Sequence, residues 1–284
     1  MKHLTAFIAL VVVAELTAGC TQGERKISLR YKFEPGAMLT YDQVSKRSAK
    51  TFESDSLIKE GSMVFNMTVD QTVHRLLDDS TAEILETASW SYEKRNEQDT
   101  AIVDTIREKR ELLLVVQING KVRDVKSFTN ESYTNIRYVR NYYEQGLPVF
   151  PWDQVTPGYS WTQTTKVVLP KEPMEASMTY KVASLVREAG YDCAVIDCNG
   201  TMIIPVEPDP RDSIQTNGLD RITLTGVLYF AYKEGMVVLQ REQWQIDRDR
   251  KRTHNGVTKE YREEVALDID FVLKSRSVVD SLAL

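Results

Sequence analysis

Apolar and polar residues alternate with a period of two along most of the chain, the pattern of strands that bury one face and wet the other. Ile27, Leu29, Tyr31 and Phe33 interleave with Ser28, Arg30, Lys32 and Glu34; Met63, Phe65, Met67 and Val69 interleave with Val64, Asn66, Thr68 and Asp70. Late in the chain Ile222, Leu224, Leu228 and Phe230 share one parity, while Val265, Leu267, Ile269, Phe271 and Leu273 oppose Glu264, Asp268 and Asp270. Turn signals at Asp78-Asp79, Asn119-Gly120, Ala189-Gly190, Glu234-Gly235 and Asn255-Gly256 separate neighbouring strands. Gaps this short close hairpins, because parallel neighbours need crossovers of about a dozen residues or more. The pattern predicts a mainly β protein built from antiparallel sheets.

One stretch has helical spacing. Asn130 to Gln145 places Tyr133, Ile136, Val139, Arg140 and Tyr143 near one side, with Thr129 or Asn130 as cap and Gly146 as terminator. It runs into the proline-aromatic segment Leu147 to Trp152. The predicted organisation is a first β-rich half over 27–128, a helix and connector over 129–156, and a second β-rich half over 157–284. The halves read as diverged copies. Ser62-Met63 returns as Ser177-Met178 and Asn119-Gly120 as Glu234-Gly235, both at an offset of 115 residues, and a Pro-Gly pair (Pro35-Gly36, Pro157-Gly158) precedes each opening strand. Two such incomplete sheets bury each other's apolar faces by forming one extended or half-barrel body.

The N-terminus carries an address. Met1, Lys2 and His3 precede an apolar run from Leu4 to Ala14, the layout of a secretory signal peptide over 1–19. The run is too short for a membrane-crossing helix, which needs about 20 residues. Leu16-Thr17-Ala18-Gly19-Cys20 resembles the bacterial lipoprotein box, whose cysteine receives diacylglycerol and becomes the new N-terminus. The resemblance implies lipidation of Cys20, including a fatty acyl chain such as palmitate, and a tether over 20–26; an ordinary secretory signal and a buried N-terminal helix are the competing readings. More than one acyl chain on one cysteine anchors stably. Thr21 rather than Asp after Cys20 implies the outer membrane by the sorting rule of such lipoproteins, and the lack of an acidic run over 23–28 points to its periplasmic face.

Composition narrows the partners. The 284 residues are 42% hydrophobic and 27% charged with a net charge of -5, a globular balance without the basic surface that nucleic acid requires. Beyond Cys20 there are only Cys193 and Cys198. On one strand they lie roughly 16 Å apart and point to opposite faces, too far for a bridge of about 7 Å between Cα atoms. Two separate buried thiols are favoured unless Cys198 belongs to a turn at Asn199-Gly200.

Catalytic chemistry finds little support. Past the signal segment the chain has two histidines, His74 on the polar side of a strand and His254 before a turn, and both read as solvated. Asp268 and Asp270 share a face, as a glycosidase carboxylate pair would need, but it is the polar face of an amphipathic strand. Glu207-Pro208-Asp209-Pro210-Arg211-Asp212 gathers acids without calcium-loop spacing and reads as an exposed loop. The expectation is a noncatalytic protein with no cofactor and no metal site. Met63, Phe65, Met67, Trp161, Met178, Tyr180, Phe230 and Trp244 fall on inward faces. Methionine suits a cavity for flexible acyl chains and equally a plain core. Six triplets of Asp, Ser or Thr, and an aliphatic residue or Thr present Ser56, Ser80, Thr100, Thr105, Ser213 and Ser281, against about one or two expected from ordinary usage. They resemble the O-glycosylation acceptor of some Gram-negative bacteria, although turn chemistry also favours Asp-Ser and Asp-Thr.

Pro157-Gly158-Tyr159-Ser160-Trp161 after a proline-rich connector, a Gly-centred hairpin ending in Cys193-Ala194-Val195-Ile196, and a Gly226 to Phe230 strand with its Glu234-Gly235 turn resemble an uncharacterised family of β-rich bacterial lipoproteins. The resemblance covers most of the mature chain and implies no activity. A more distant architectural similarity is to the lipoprotein-localisation carriers of the LolA and LolB type, whose curved antiparallel sheet wraps an apolar cavity. The expected function is a noncatalytic envelope lipoprotein that binds an amphiphile or lipid on a concave apolar face. The alternative is a structural or interaction subunit of an outer-membrane complex, presenting an edge strand or apolar patch to an envelope protein.

Overall fold

The computed structural model describes residues 25–96, 106–127, 148–167, 174–206, 208 and 213–278. These form a single antiparallel sheet of eleven strands. The first half supplies β1 (Ala37–Glu53), β2 (Ser56–Asp78), β3 (Thr81–Asn96), β4 (Ile106–Gln117) and β5 (Val122–Ser127). The second supplies β6 (Ser160–Val167), β7 (Met174–Glu188), β8 (Tyr191–Val206), β9 (Gln215–Ala231), β10 (Met236–His254) and β11 (Val257–Val278). The strand order is β5-β4-β3-β2-β1-β11-β10-β9-β8-β7-β6. The chain starts at the centre, meanders to one edge, resumes at the other edge and returns to pair β11 with β1, from Ala37 opposite Val278 to Glu53 opposite Tyr261. Edges β5 and β6 do not pair, so the sheet is not closed into a barrel.

The five predicted turn signals all fall at hairpin ends. Ala189-Gly190 and Asn255-Gly256 have positive φ at both residues, the geometry that matches hairpin twist and that Asn-Gly and Gly pairs tolerate best. A further turn at Ser54-Asp55 also has positive φ at both positions and carries no Asn or Gly to announce it. Asn199-Gly200, by contrast, is no turn: β8 runs straight through it. Gly200 serves packing instead, since a Cβ there would stand 2.2 Å from the Met178 sulfur.

The sheet curls into a trough. Strands β4 and β7 stand eight places apart, about 38 Å in a flat sheet at 4.8 Å per strand, yet Arg110 of β4 and Met178 of β7 line the same cavity. The longest strands, β2 with 23 residues and β11 with 22, make the trough roughly 70 Å long. One core spans both halves, drawing Tyr41, Val69 and Ala88 from the first and Val182, Ile196 and Leu228 from the second. A second cluster, including Leu112, Leu114 and Val122, belongs to the β2–β5 side.

The trough has two unlike ends. At the closed end, carrying the turns around Ser80, Asn119, Gly190 and Gly235, residues 25–36 and 148–159 pack against the sheet. Alternation over 27–33 predicts a strand, but this segment makes only a single bridge, Ile27 to Val155. Its buried side, with Ile27 and Leu29, joins the core, and its amides find turn carbonyls instead of a neighbouring strand. Tyr31 N donates to Ile118 O at 2.7 Å and Lys32 N to Gly235 O at 3.1 Å, while Phe150 N donates to Asn119 O at 2.8 Å. These bonds tie hairpin turns from both halves to one plug. The predicted helix over 130–145 lies outside the described residues.

Candidate ligand-binding cavity

Strand alternation brings a layered inner wall to the trough. Trp244 of β10 stands between Leu224 of β9 and Leu267 of β11; one inward step along, Ile246 stands between Ile222 and Val265. The wall encloses a cavity of about 200 Å³. Its apolar lining comes from Met67 and Val69, Met178 and Tyr180, Leu224 and Leu228, Trp244, and Ile269 and Phe271. The floor toward the closed end is aromatic: Phe230 packs 4.6 Å from Phe150 and 5.2 Å from Tyr31, and Trp161 stacks on Tyr180 at 5.2 Å. Trp161 satisfies its indole N–H by donating to Val149 O at 3.1 Å.

Two carboxylates enter this apolar wall, and each is answered. Glu86 accepts from Arg110 at 3.0 Å and from Gln71 Nε2 at 3.0 Å, and the Arg110 guanidinium lies 5.9 Å from the Trp90 ring centroid. Glu242 accepts from Gln240 Nε2 at 2.5 Å and from Trp244 Nε1 at 2.9 Å. Burial raises the Glu242 carboxyl above its ordinary value of 4.5, against the pull of those two hydrogen bonds. A raised acid holds its proton more tightly folded than unfolded. Its contribution to stability is therefore full below the ordinary value and falls as pH climbs from there through the folded value. Glu242→Gln, which mimics the protonated acid, is expected to raise the thermal midpoint at neutral pH and to leave it unchanged in acid below the ordinary carboxylate range. A gain of equal size at both pH values would show that the carboxyl is not displaced.

The thiols are passive. Cys193 and Cys198 are free and buried on opposite faces of β8, in separate core clusters. Burial pushes Cys198 up to about 12 and Cys193 up to about 11, away from the reactive thiolate.

Toward the open end, charge replaces apolar lining on the inner wall. Arg248 stands between Asp220 and Glu263 in the sheet and pairs with both, at 3.6 Å and 2.8 Å. Asp220 also pairs with Arg250, and Glu263 with Arg47 at 3.6 Å. This belt closes off the apolar layers of Val265, Ile246 and Ile222.

Of the predicted inward residues, Met67, Met178, Tyr180 and Trp244 line the cavity, and Phe230 and Trp161 form its floor. Met63 and Phe65 keep the same parity on β2 and are half-buried but stand outside the lining, toward the open end. The polar groups Gln71, Glu86, Arg110, Gln240 and Glu242 escaped the sequence reading. Glu242 had a signal: it shares parity with Trp244 and Ile246, although Arg241 beside it disguises the position as a surface charge run. Asp268 and Asp270 are exposed on the outer face, where Gln243 and Arg241 donate to them. His254 is exposed and His74 half-buried. Among the described residues no three His, Cys, Asp or Glu side chains gather as a metal site.

Ser56 and Ser213 are exposed. Ser80 sits in a turn where both its amide and hydroxyl donate to Asp78, at 2.7 and 2.8 Å, while Asp79, the acid of its triplet, takes no part in these bonds. Cys20, Thr100, Thr105 and Ser281 lie outside the described residues.

Fold and site together define an open, curled antiparallel sheet with an apolar interior. No known protein family matches the chain, and no curated protein matches it. Among solved structures it is similar to one described as lipid-protein interactions in lipovitellin, with a TM-score of 0.48 and 8% identity, over 89% of this chain and 26% of that one. The chain thus spans about a quarter of that structure's length.

Proposed function

We propose that the protein is a noncatalytic envelope lipoprotein, tethered through Cys20 to the periplasmic face of the outer membrane, that holds an amphiphile in its trough. The observation that carries the reading is the cavity of about 200 Å³, walled by apolar side chains from both halves of the sheet. Flexible Met67 and Met178 can follow an acyl chain's shape, while Phe271, Tyr180 and Trp244 supply rigid contact. Native and denaturing mass spectrometry of the full chain tests it. The expected result is one lipid per protein in the native spectrum, released on denaturation, with the diacylglycerol increment retained on Cys20. A bare protein mass, obtained again from the native host, would overturn carriage.

A second reading, an interaction subunit of an outer-membrane complex, draws on exposed apolar residues at the open end. Leu57, Ile58 and Val257 are 49%, 48% and 64% exposed beside the β1–β2 and β10–β11 turns. These hairpins are neighbours, since Ser54 N donates to Glu260 O. A stoichiometric protein mass in place of lipid would favour this reading.

A further inference from the structure

We infer that the amphiphile is a single-chain molecule with an anionic phosphate or carboxylate head, its chain in the cavity and its head against Arg47. The inference rests on the amphiphile reading above and adds polarity and chain number to it. In the inner belt three guanidiniums, Arg47, Arg248 and Arg250, share two carboxylates, Asp220 and Glu263. Nearer the rim Lys259 pairs with Glu53 at 2.7 Å and adds no net charge. These three guanidiniums and two carboxylates thus carry one positive charge in excess.

Arg47 is the guanidinium placed to use that excess. Its ion pair with Glu263 is long, at 3.6 Å, Glu263 sits closer to Arg248, and the Arg47 side chain is 40% exposed. Its strand partners are Leu267 on β11 and Met63 on β2, so it stands where the apolar layers meet the charged belt. A guanidinium offers a planar fork that matches phosphate and carboxylate oxygens. From Leu267, opposite Arg47, the apolar inner residues of β11 run to Leu273, about 20 Å at the strand rise. That accommodates an acyl chain, which spans about 15 Å as half of a bilayer's hydrocarbon core. The cavity of about 200 Å³ lies below the roughly 300–1,000 Å³ of drug-sized pockets, so it takes the end of one chain, with the rest along the inner wall toward Arg47, and leaves no room for a second.

The test is displacement of the neutral fluorophore N-phenyl-1-naphthylamine from the full chain held in non-ionic amphipol. Three competitors are compared: 1-palmitoyl-lysophosphatidylglycerol, uncharged 1-palmitoylglycerol and inorganic phosphate. The anionic lipid is expected to displace at about tenfold lower concentration than the uncharged one, the worth of a charge-assisted hydrogen bond, and high salt should shrink the gap. Arg47→Met should erase the gap without weakening 1-palmitoylglycerol, and Arg47→Lys should keep most of it. If the methionine variant melts early, Arg47→Gln against Arg47→Lys provides the same comparison. Equal displacement by both lipids would overturn the inference and leave the amphiphile reading standing. Displacement by neither lipid would overturn the reading itself. Phosphate competing as well as the lipid would mark a simple anion site and also overturn the inference.

Discussion

Phe230→Ala is expected to cost about 3–5 kcal/mol of unfolding free energy, the range for truncating a buried aromatic. Phe230 is fully buried where three separate pieces of chain meet: β9, the N-terminal segment through Tyr31 and the connector through Phe150. The plug's hydrogen bonds to the hairpin turns fix those neighbours in place, so little can collapse into the vacated volume. Phe65→Ala provides the contrast, because Phe65 is only half-buried, and should cost clearly less. Urea midpoints with unchanged slopes would read both. A Phe230→Ala loss below about 1 kcal/mol would mean that the aromatic floor is not a rigid support.

Arg110→Met should be comparably damaging, about 3–5 kcal/mol, because it removes the counter-charge from a carboxylate already taken out of water. The Glu86 side chain is 4% exposed and that of Arg110 14%. Combining Arg110→Met with Glu86→Gln should restore most of the loss, since the cost comes from stranding the charge rather than from losing a favourable pair. Thermal melts of the two single variants and the double variant decide this. A double variant as unstable as the sum of the singles would mean no coupling between Glu86 and Arg110 and would overturn the stranded-charge account.

The sheet was legible in the sequence because its cause is local. Alternation in β2, β9 and β11 declares which side is wet, and pairs such as Asn255-Gly256 declare where the chain reverses. The same alternation misleads at Ile27 to Phe33, because periodicity records a one-sided burial and not the hydrogen-bonding partner. The cavity was half legible. Met67, Met178, Tyr180 and Trp244 announce an inward apolar face, but which inward residues converge depends on how far the sheet curls, and no residue encodes that by itself. Glu86 and Arg110 were hidden for a different reason: their pairing is cross-strand, at a separation of 24 residues, and single-strand patterns treat each as a polar interruption. The Ser54-Asp55 turn escaped because neither residue type requires positive φ.

The pairing of β1 with β11 has a consequence for assembly. The first and last strands of the sheet lie side by side at its centre, so this seam joins residues more than two hundred positions apart, from Ala37 with Val278 to Glu53 with Tyr261. Contacts of such long sequence separation form late, because loop closure is entropically costly and slows folding. Until β11 arrives, β1 and β10 each present a long unpaired edge, the kind of surface on which strands of other chains dock. Synthesis thus leaves the middle of the sheet open until last, and the interval before Val257 to Val278 docks is when the chain is most exposed to aggregation.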